Sequence, residues 1–264
     1  MNFLEKIVAA KHKEVSSRKA ITSMKTLSEM SLFGRDTISF SNSIQNGSGI
    51  IGEFKRMSPS AGSFNITGDL EETVNYYQSN QVSAYSVLTD NELFGGDLLD
   101  LTMVRSLVEA PVLRKDFIVD EYQIFEAKAY GADAILLIAD ALDEFHCENL
   151  TTIAKSIGLE VLMEFHSKEE LVKLNDQVDV IGINNRNLKT MKTDVNASLD
   201  LIKYLPYDRI KISESGIHNS EQIEQLVKAG YDGFLMGEYL LKSKESNGIK
   251  DIVDQVLNSK KQLS

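Results

Sequence analysis

The sequence predicts a (β/α)8 barrel of the TIM-barrel class with an N-terminal helical extension. Three observations point there. Eight short β-rich apolar runs recur along the chain, helical patterns lie between them, and the runs start at intervals of roughly 20 to 35 residues. That interval is one strand plus a crossover helix, which forces parallel strands. Eight such units occupy about 250 residues, and the chain has 264.

Residues 1–48 precede the first run. MNFLEKIVAAKHKEVSSRK places Phe3, Leu4, Ile7, Val8 and Val15 at amphipathic helical spacing, so an added helix is expected to lie against the barrel. SNSIQNGSG reads as a polar linker into the first strand. The extension is too poor in apolar residues to fold as a domain of its own. Residues 49–264 form the barrel, and the whole is expected to be one domain.

The strands, in order, are GIIGEFKR (49–56), AYSVLTD (84–90), PVLRKDF (111–117), AILLIA (134–139), LEVLMEF (159–165), VIGINNR (180–186), RIKISES (209–215) and GFLMGE (233–238). Helical patterns such as DEYQIFEAKAYGAD and SEQIEQLVKAGYDG fill the gaps, the second opening on Ser220 as cap and closing at Gly230. A doubly wound open sheet competes, but it has fewer strands and a Gly-rich turn after the first. Here that turn is Ser-Pro-Ser.

Composition removes several functions. A net charge of −11 opposes a nucleic-acid or anionic-membrane surface, so an anionic ligand must be captured locally. No apolar stretch reaches the length of a membrane span, and the start lacks a secretory pattern. The single cysteine, Cys147, excludes an intrachain disulfide and a cysteine-based zinc framework. A reduced cytoplasmic setting follows. Neither a Walker loop nor a dinucleotide fingerprint occurs, and a cofactor-free site is expected.

Strands alternate faces with period two. Ile51, Glu53 and Lys55 therefore share a face at the end of the first strand. Lys115 follows Leu113, Glu164 follows Leu162, Asn184 and Arg186 end the sixth strand, and Glu214 follows Ile210 and Ile212. In a barrel these faces converge on the C-terminal rim, where active sites of this fold lie. Any one of these residues alone is ordinarily a solvated strand end; their convergence favours a site. Acids beside bases suggest mutual pKa control, with a lysine in a half-buried mouth expected to have a lowered pKa.

Ser215 and Gly216 after the seventh strand, with Gly237 and Glu238 after the eighth, suit loops that offer backbone N–H groups to a phosphate. Packed turns are the other reading. His166, just past Glu164, is open between proton shuttle and supporting role. His146 and Cys147 adjoin without a third ligand, which argues against a metal site.

Together IGEFKRMSPS, PVLRKDFIVDEYQI, GADAILLIA, VLMEFH, IGINNRNL, ISESGI and GFLMGEYLL resemble the indole-3-glycerol-phosphate synthase family, in order and over nearly the whole chain. The Glu-x-Lys-x-x-Ser-Pro-Ser and Asn-Asn-Arg-Asn-Leu stretches are its specific parts. The resemblance implies a carboxy-lyase of tryptophan biosynthesis. Its small-molecule substrate is a phosphorylated anthranilate derivative, 1-(2-carboxyphenylamino)-1-deoxyribulose 5-phosphate, closed to a pyrrole ring with loss of CO2 and water.

By the same resemblance Lys115 is the acid at the ribulose carbonyl, Glu164 takes part in dehydration, and Lys55 exchanges protons or holds a carboxylate. Glu53 orients Lys115 or bonds the reacting hydroxyl. Asn184 fixes the substrate, Arg186 offers a fork to its carboxylate, and Glu214 completes the ring. Ser215, Gly216, Gly237 and Glu238 match the phosphate loops, while Phe94, Phe117 and Leu188 flank the aromatic half. Ser58 starts a loop over the ligand; Ala61 stands where many relatives have lysine.

A Schiff-base aldolase on the same fold, or a phosphate-binding barrel without turnover, are the alternatives. No exposed apolar repeat announces an interface, so a monomer is expected.

Overall fold

The computed structural model describes residues 2–58, 62–63, 69–242 and 248–263. Pro59, Ser60 and Ala61, in the loop whose closure the sequence raised, lie outside the described residues, as does the Ser58 side chain.

Eight strands close a barrel: β1 (Ile50–Phe54), β2 (Ala84–Leu88), β3 (Val112–Lys115), β4 (Ala134–Ile138), β5 (Glu160–Phe165), β6 (Val180–Asn184), β7 (Ile210–Glu214) and β8 (Gly233–Met236). Each pairs in parallel with its sequence neighbours, and β8 returns to β1 with Ile51 opposite Leu235. All eight fall within the predicted runs. Their apolar character on both faces reflects burial inside by the barrel and outside by helices.

The inner core contains Ile51, Ala84, Leu113, Ala134, Leu136, Leu162, Val180, Ile212 and Leu235. Outward residues such as Ile50, Val87, Ile135, Met163 and Phe234 pack beneath the helices. This two-sided burial fixes the register, because a one-residue slip would turn every inner charge outward.

Residues 41–49 do not form the expected polar linker. Phe40–Asn46 is a helix, capped by Ser39, whose hydroxyl accepts from Asn42 N. Phe40 and Ile44 are fully buried with the inner barrel residues. Ser39 and Ser41 bond Glu160 at the start of β5, so the helix plugs the N-terminal end of the barrel. Its two apolar residues, four apart, were hidden among serines and asparagines.

The first helix, α1 (Phe3–Ile21), starts with an Asn2–Glu5 capping box. Its buried stripe is Leu4, Ile7, Lys11 and Val15, an apolar pattern interrupted by a charge. Lys11 bridges Asp90 beyond β2 and Asp116 beyond β3, tying α1 to the C-terminal end of the barrel.

Two local expectations change. The helix Ser220–Ala229 is capped by Asn219, whose side chain accepts from Gln222 N, and Ser220 is its first helical residue. Between β5 and β6 the helical element is a 3-10 segment, Lys168–Lys173. Glu170 there folds back to accept from His166 N and Ser167 Oγ, tightening the chain directly after β5.

Candidate active site

A cavity of about 290 Å³ opens at the C-terminal end of the strands. It is lined by every sequence-predicted site residue whose side chain is described. Period-two alternation accounts for this: Glu53, Lys115, Glu164, Asn184 and Glu214 each cap an inward row whose lower members are core.

Lys115 is central. Its Nζ donates to Glu164 Oε2 at 2.9 Å and stands 3.4 Å from Glu214 Oε2. Burial alone would lower its pKa; the carboxylates of Glu164, Glu214 and Glu53 outweigh burial and raise it above the usual lysine range. The expected lowered lysine pKa is thus corrected, because the rim supplies more anions than burial offsets.

Glu164 and Glu214 face the same ammonium but titrate apart. Burial favours protonating both. Lys115 and His166 nevertheless hold Glu164 well below the ordinary carboxylate range. Glu214 is pushed up to about 8 by burial, with Glu164 and Glu53 adding to the shift and Lys115 opposing it. Two buried acids beside one lysine are expected to divide in this way.

Glu53 accepts from Lys55 Nζ directly, so its partner is Lys55 and not Lys115, which it influences only through space. Asn184 Oδ1 accepts from the Arg186 backbone N–H at 2.9 Å and shapes the turn after β6. Arg186 Nε donates to Thr193 Oγ1 at 3.3 Å, and the two residues form a β-bridge across the base of the 187–192 loop. Leu188 and Phe94 are half-buried and Phe117 is buried; with Leu136 and Ile138 they make an apolar wall.

Opposite lie the glycine loops. Ser215 and Gly216 both have positive φ, 66° and 72°. A serine in that region costs of order 1–3 kcal/mol and persists where its surroundings enforce it. Asn185 enforces it here: buried, it donates to the Ser215 carbonyl and Ser213 Oγ and accepts from Ser198 N and Oγ. In the sequence Asn184 stands out as an inward strand-end amide, whereas the outward-facing position of Asn185 gives no sign of a role at the rim.

Two glycines make room for carboxylates. A Cβ at Gly182, on β6, would collide with the Glu214 carboxylate. One at Gly237 would stand 2.8 Å from Glu53 Oε1. Gly237 therefore clears space for Glu53 as well as bordering the loop before Glu238, the first residue of the helix Glu238–Lys242. Gly182 was missed because a glycine inside an apolar strand signals close approach without saying to what.

The buried network beneath the rim was also missed. Asp116, adjacent to Lys115, accepts from Thr89 Oγ1, Arg114 and Phe117 N and pairs with Lys11. Burial would raise its pKa, yet Arg114 and Lys11 hold it far below the usual carboxylate range.

A closed parallel barrel with acids and ammonium groups gathered around a cavity at its C-terminal rim has the architecture of a (β/α)8-barrel enzyme. Residues 4–252 match the family model for indole-3-glycerol phosphate synthase. The chain is 45% identical over 249 residues to indole-3-glycerol phosphate synthase of Bacteroides thetaiotaomicron, covering 92% of this chain and 94% of that protein. The synthase of Caldanaerobacter subterraneus subsp. tengcongensis is 43% identical over 255 residues, covering 96% and 98%. The chain belongs to the indole-3-glycerol phosphate synthase family.

Solved structures show the same fold at lower identity. Tryptophan synthase alpha-subunit of Pyrococcus furiosus (D110A mutant) has TM-score 0.57 and 16% identity, covering 80% of this chain and 98% of that one. Thiamine phosphate pyrophosphorylase of the same organism has TM-score 0.59 and 16% identity, covering 83% and 100%. Among the described residues no helix is long and apolar enough to cross a membrane.

Proposed function

We propose that the chain closes the indole pyrrole ring of 1-(2-carboxyphenylamino)-1-deoxyribulose 5-phosphate with loss of CO2 and water, using side chains alone. The observation that supports it best is Lys115 held between Glu164 and Glu214 at the centre of a cavity. An apolar wall borders one side and the glycine loops the other.

The anthranilate ring packs on Phe94, Phe117 and Leu188, and the phosphate meets the backbone of Ser215, Gly216, Gly237 and Glu238. Arg186 takes the substrate carboxylate and Asn184 fixes the chain between these ends. Ser58 opens the loop beside the phosphate half.

In condensation, the ring carbon bearing the carboxylate attacks the ribulose carbonyl and Lys115 gives its proton to the oxygen. An alkoxide is far more basic than an amine, so even a stabilised ammonium transfers its proton favourably. Until transfer, the fixed charge polarises the carbonyl. Loss of CO2 then restores the aromatic ring. In dehydration, the hydroxyl departs as water with a proton from an acid of the rim, and Glu164 removes the proton whose loss completes the pyrrole. Lys55, paired with Glu53, returns protons between the two stages. Residues 1–48 act with barrel residues 49–264 as one domain, in a cytoplasmic monomer.

The test is to supply the phosphorylated substrate and follow indole fluorescence. Turnover is expected, with a loss of at least about a thousandfold in Lys115→Ala. Full activity in that variant would refute the acid assignment. Borohydride with substrate separates the aldolase reading: a stable adduct on Lys115 would support a Schiff base and count against this chemistry.

A further inference from the structure

His166 lies past the end of β5, two residues beyond Glu164, with a side chain only 5% exposed. Its Nε2 stands 3.2 Å from Glu164 Oε1, and its Nδ1 stands 3.8 Å from Glu170 Oε2. Glu170 is itself pinned, accepting from His166 N at 2.8 Å and Ser167 Oγ at 3.3 Å. A buried imidazole is ordinarily neutral. Here burial is outweighed by the two carboxylates, and the pKa is pushed up to about 10.

Each oxygen of Glu164 therefore faces a cation, Lys115 on Oε2 and His166 on Oε1. Among the described pairs Glu214 meets Lys115, at the longer distance of 3.4 Å. When two buried acids compete for one lysine, the proton settles on the acid with less cationic support.

We propose that His166, as an imidazolium braced by Glu170, is a positioning residue that makes Glu164 the ionised member of the Glu164–Glu214 pair and leaves the proton on Glu214. The proposal rests on the reading of Glu164 as the dehydration base. The charged groups near the imidazole are Glu164 on its own strand, Glu170 on the 3-10 segment and, across Glu164, Lys115 on β3. Beyond Glu170 stands Lys189, which is paired with Asp140. Among these, His166 is the cation that touches Glu164 without touching Glu214.

The experiment combines kinetics and imidazole NMR on the full chain. In His166→Asn the acidic limb of the kcat profile is expected to move up by about one pH unit or more. On the acidic side of the moved limb kcat is expected to fall about tenfold per pH unit moved, recovering at higher pH, with KM changed less than about twofold. In the wild type the imidazole is expected to stay protonated from pH 6 to 9. In Glu164→Gln and Glu170→Gln it is expected to titrate within that range.

If His166→Asn does not fold, Glu170→Gln keeps the ring in place and must move the acidic limb in the same direction. An unmoved limb, or a neutral imidazole at pH 7 in the wild type, overturns the proposal. A fully active Glu164→Gln overturns the base assignment instead, while NMR still reports the charge on His166.

Discussion

Lys11 Nζ lies 2.9 Å from Asp116 Oδ1, joining the N-terminal helix to the residue next to Lys115. Lys11 is 1% exposed and pairs also with Asp90 and Glu14. Removing one member of a buried ion network leaves the others uncompensated, at a cost of about 3–5 kcal/mol. Lys11→Met is expected to lose stability in that range in urea, with some loss of activity as Asp116 shifts. A loss below about 1 kcal/mol would show that the extension is not fastened here.

Asp116 also sets a pH dependence. Its pKa is depressed in the folded chain, so its stabilisation is complete above the ordinary carboxylate value and is lost as pH falls through and below it. Glu164 acts in the same direction. Stability is expected to fall steeply below about pH 4. Asp116→Asn, less stable at pH 7, is expected to show a shallower fall. Parallel curves for the two proteins would refute the assignment.

Glu214 gives the opposite sign. Its folded pKa is raised to about 8, so keeping its proton contributes stability below the ordinary glutamate value that is lost as pH rises through about 8. Glu214→Gln keeps the neutral shape at every pH. It is expected to gain stability relative to wild type between pH 5 and 9. Its kcat/KM is also expected to hold a plateau above pH 8, where the wild type declines. Measuring both profiles decides this; an unchanged alkaline limb in the variant would refute a titrating Glu214.

The barrel was legible because eight apolar runs at βα spacing leave few alternatives, and because period two carries Glu53, Lys115, Glu164 and Glu214 inward once the strands are placed. The pairings were not legible. Glu53 and Lys55 share a strand face, but the partnership of Lys115 with Glu164 and Glu214 depends on which strand ends meet across the barrel. The sign of the Lys115 shift depends on counting those partners. Phe40 and Ile44 escaped notice because a helix of seven residues offers only two apolar positions, and Asn185 because its bonds run behind the rim.

Gly182 tests how closely the rim is packed. Its missing side chain leaves the space occupied by the Glu214 carboxylate, and Leu162 Cδ1 is 3.1 Å from where a Cβ would lie. Leu162 sits in the filled core and Glu214 is held beside Lys115, so an added methyl forces displacement costing about 1–3 kcal/mol. Gly182→Ala is expected to lose that much stability and to move Glu214 from Lys115, lowering kcat by about tenfold or more. Gly230→Ala is the control for losing a glycine, since it meets no atom within 4 Å yet has φ of 109°. It is expected to lose stability through backbone strain while keeping kcat. Equal kcat in both variants would show that the space beside Glu214 has no bearing on turnover.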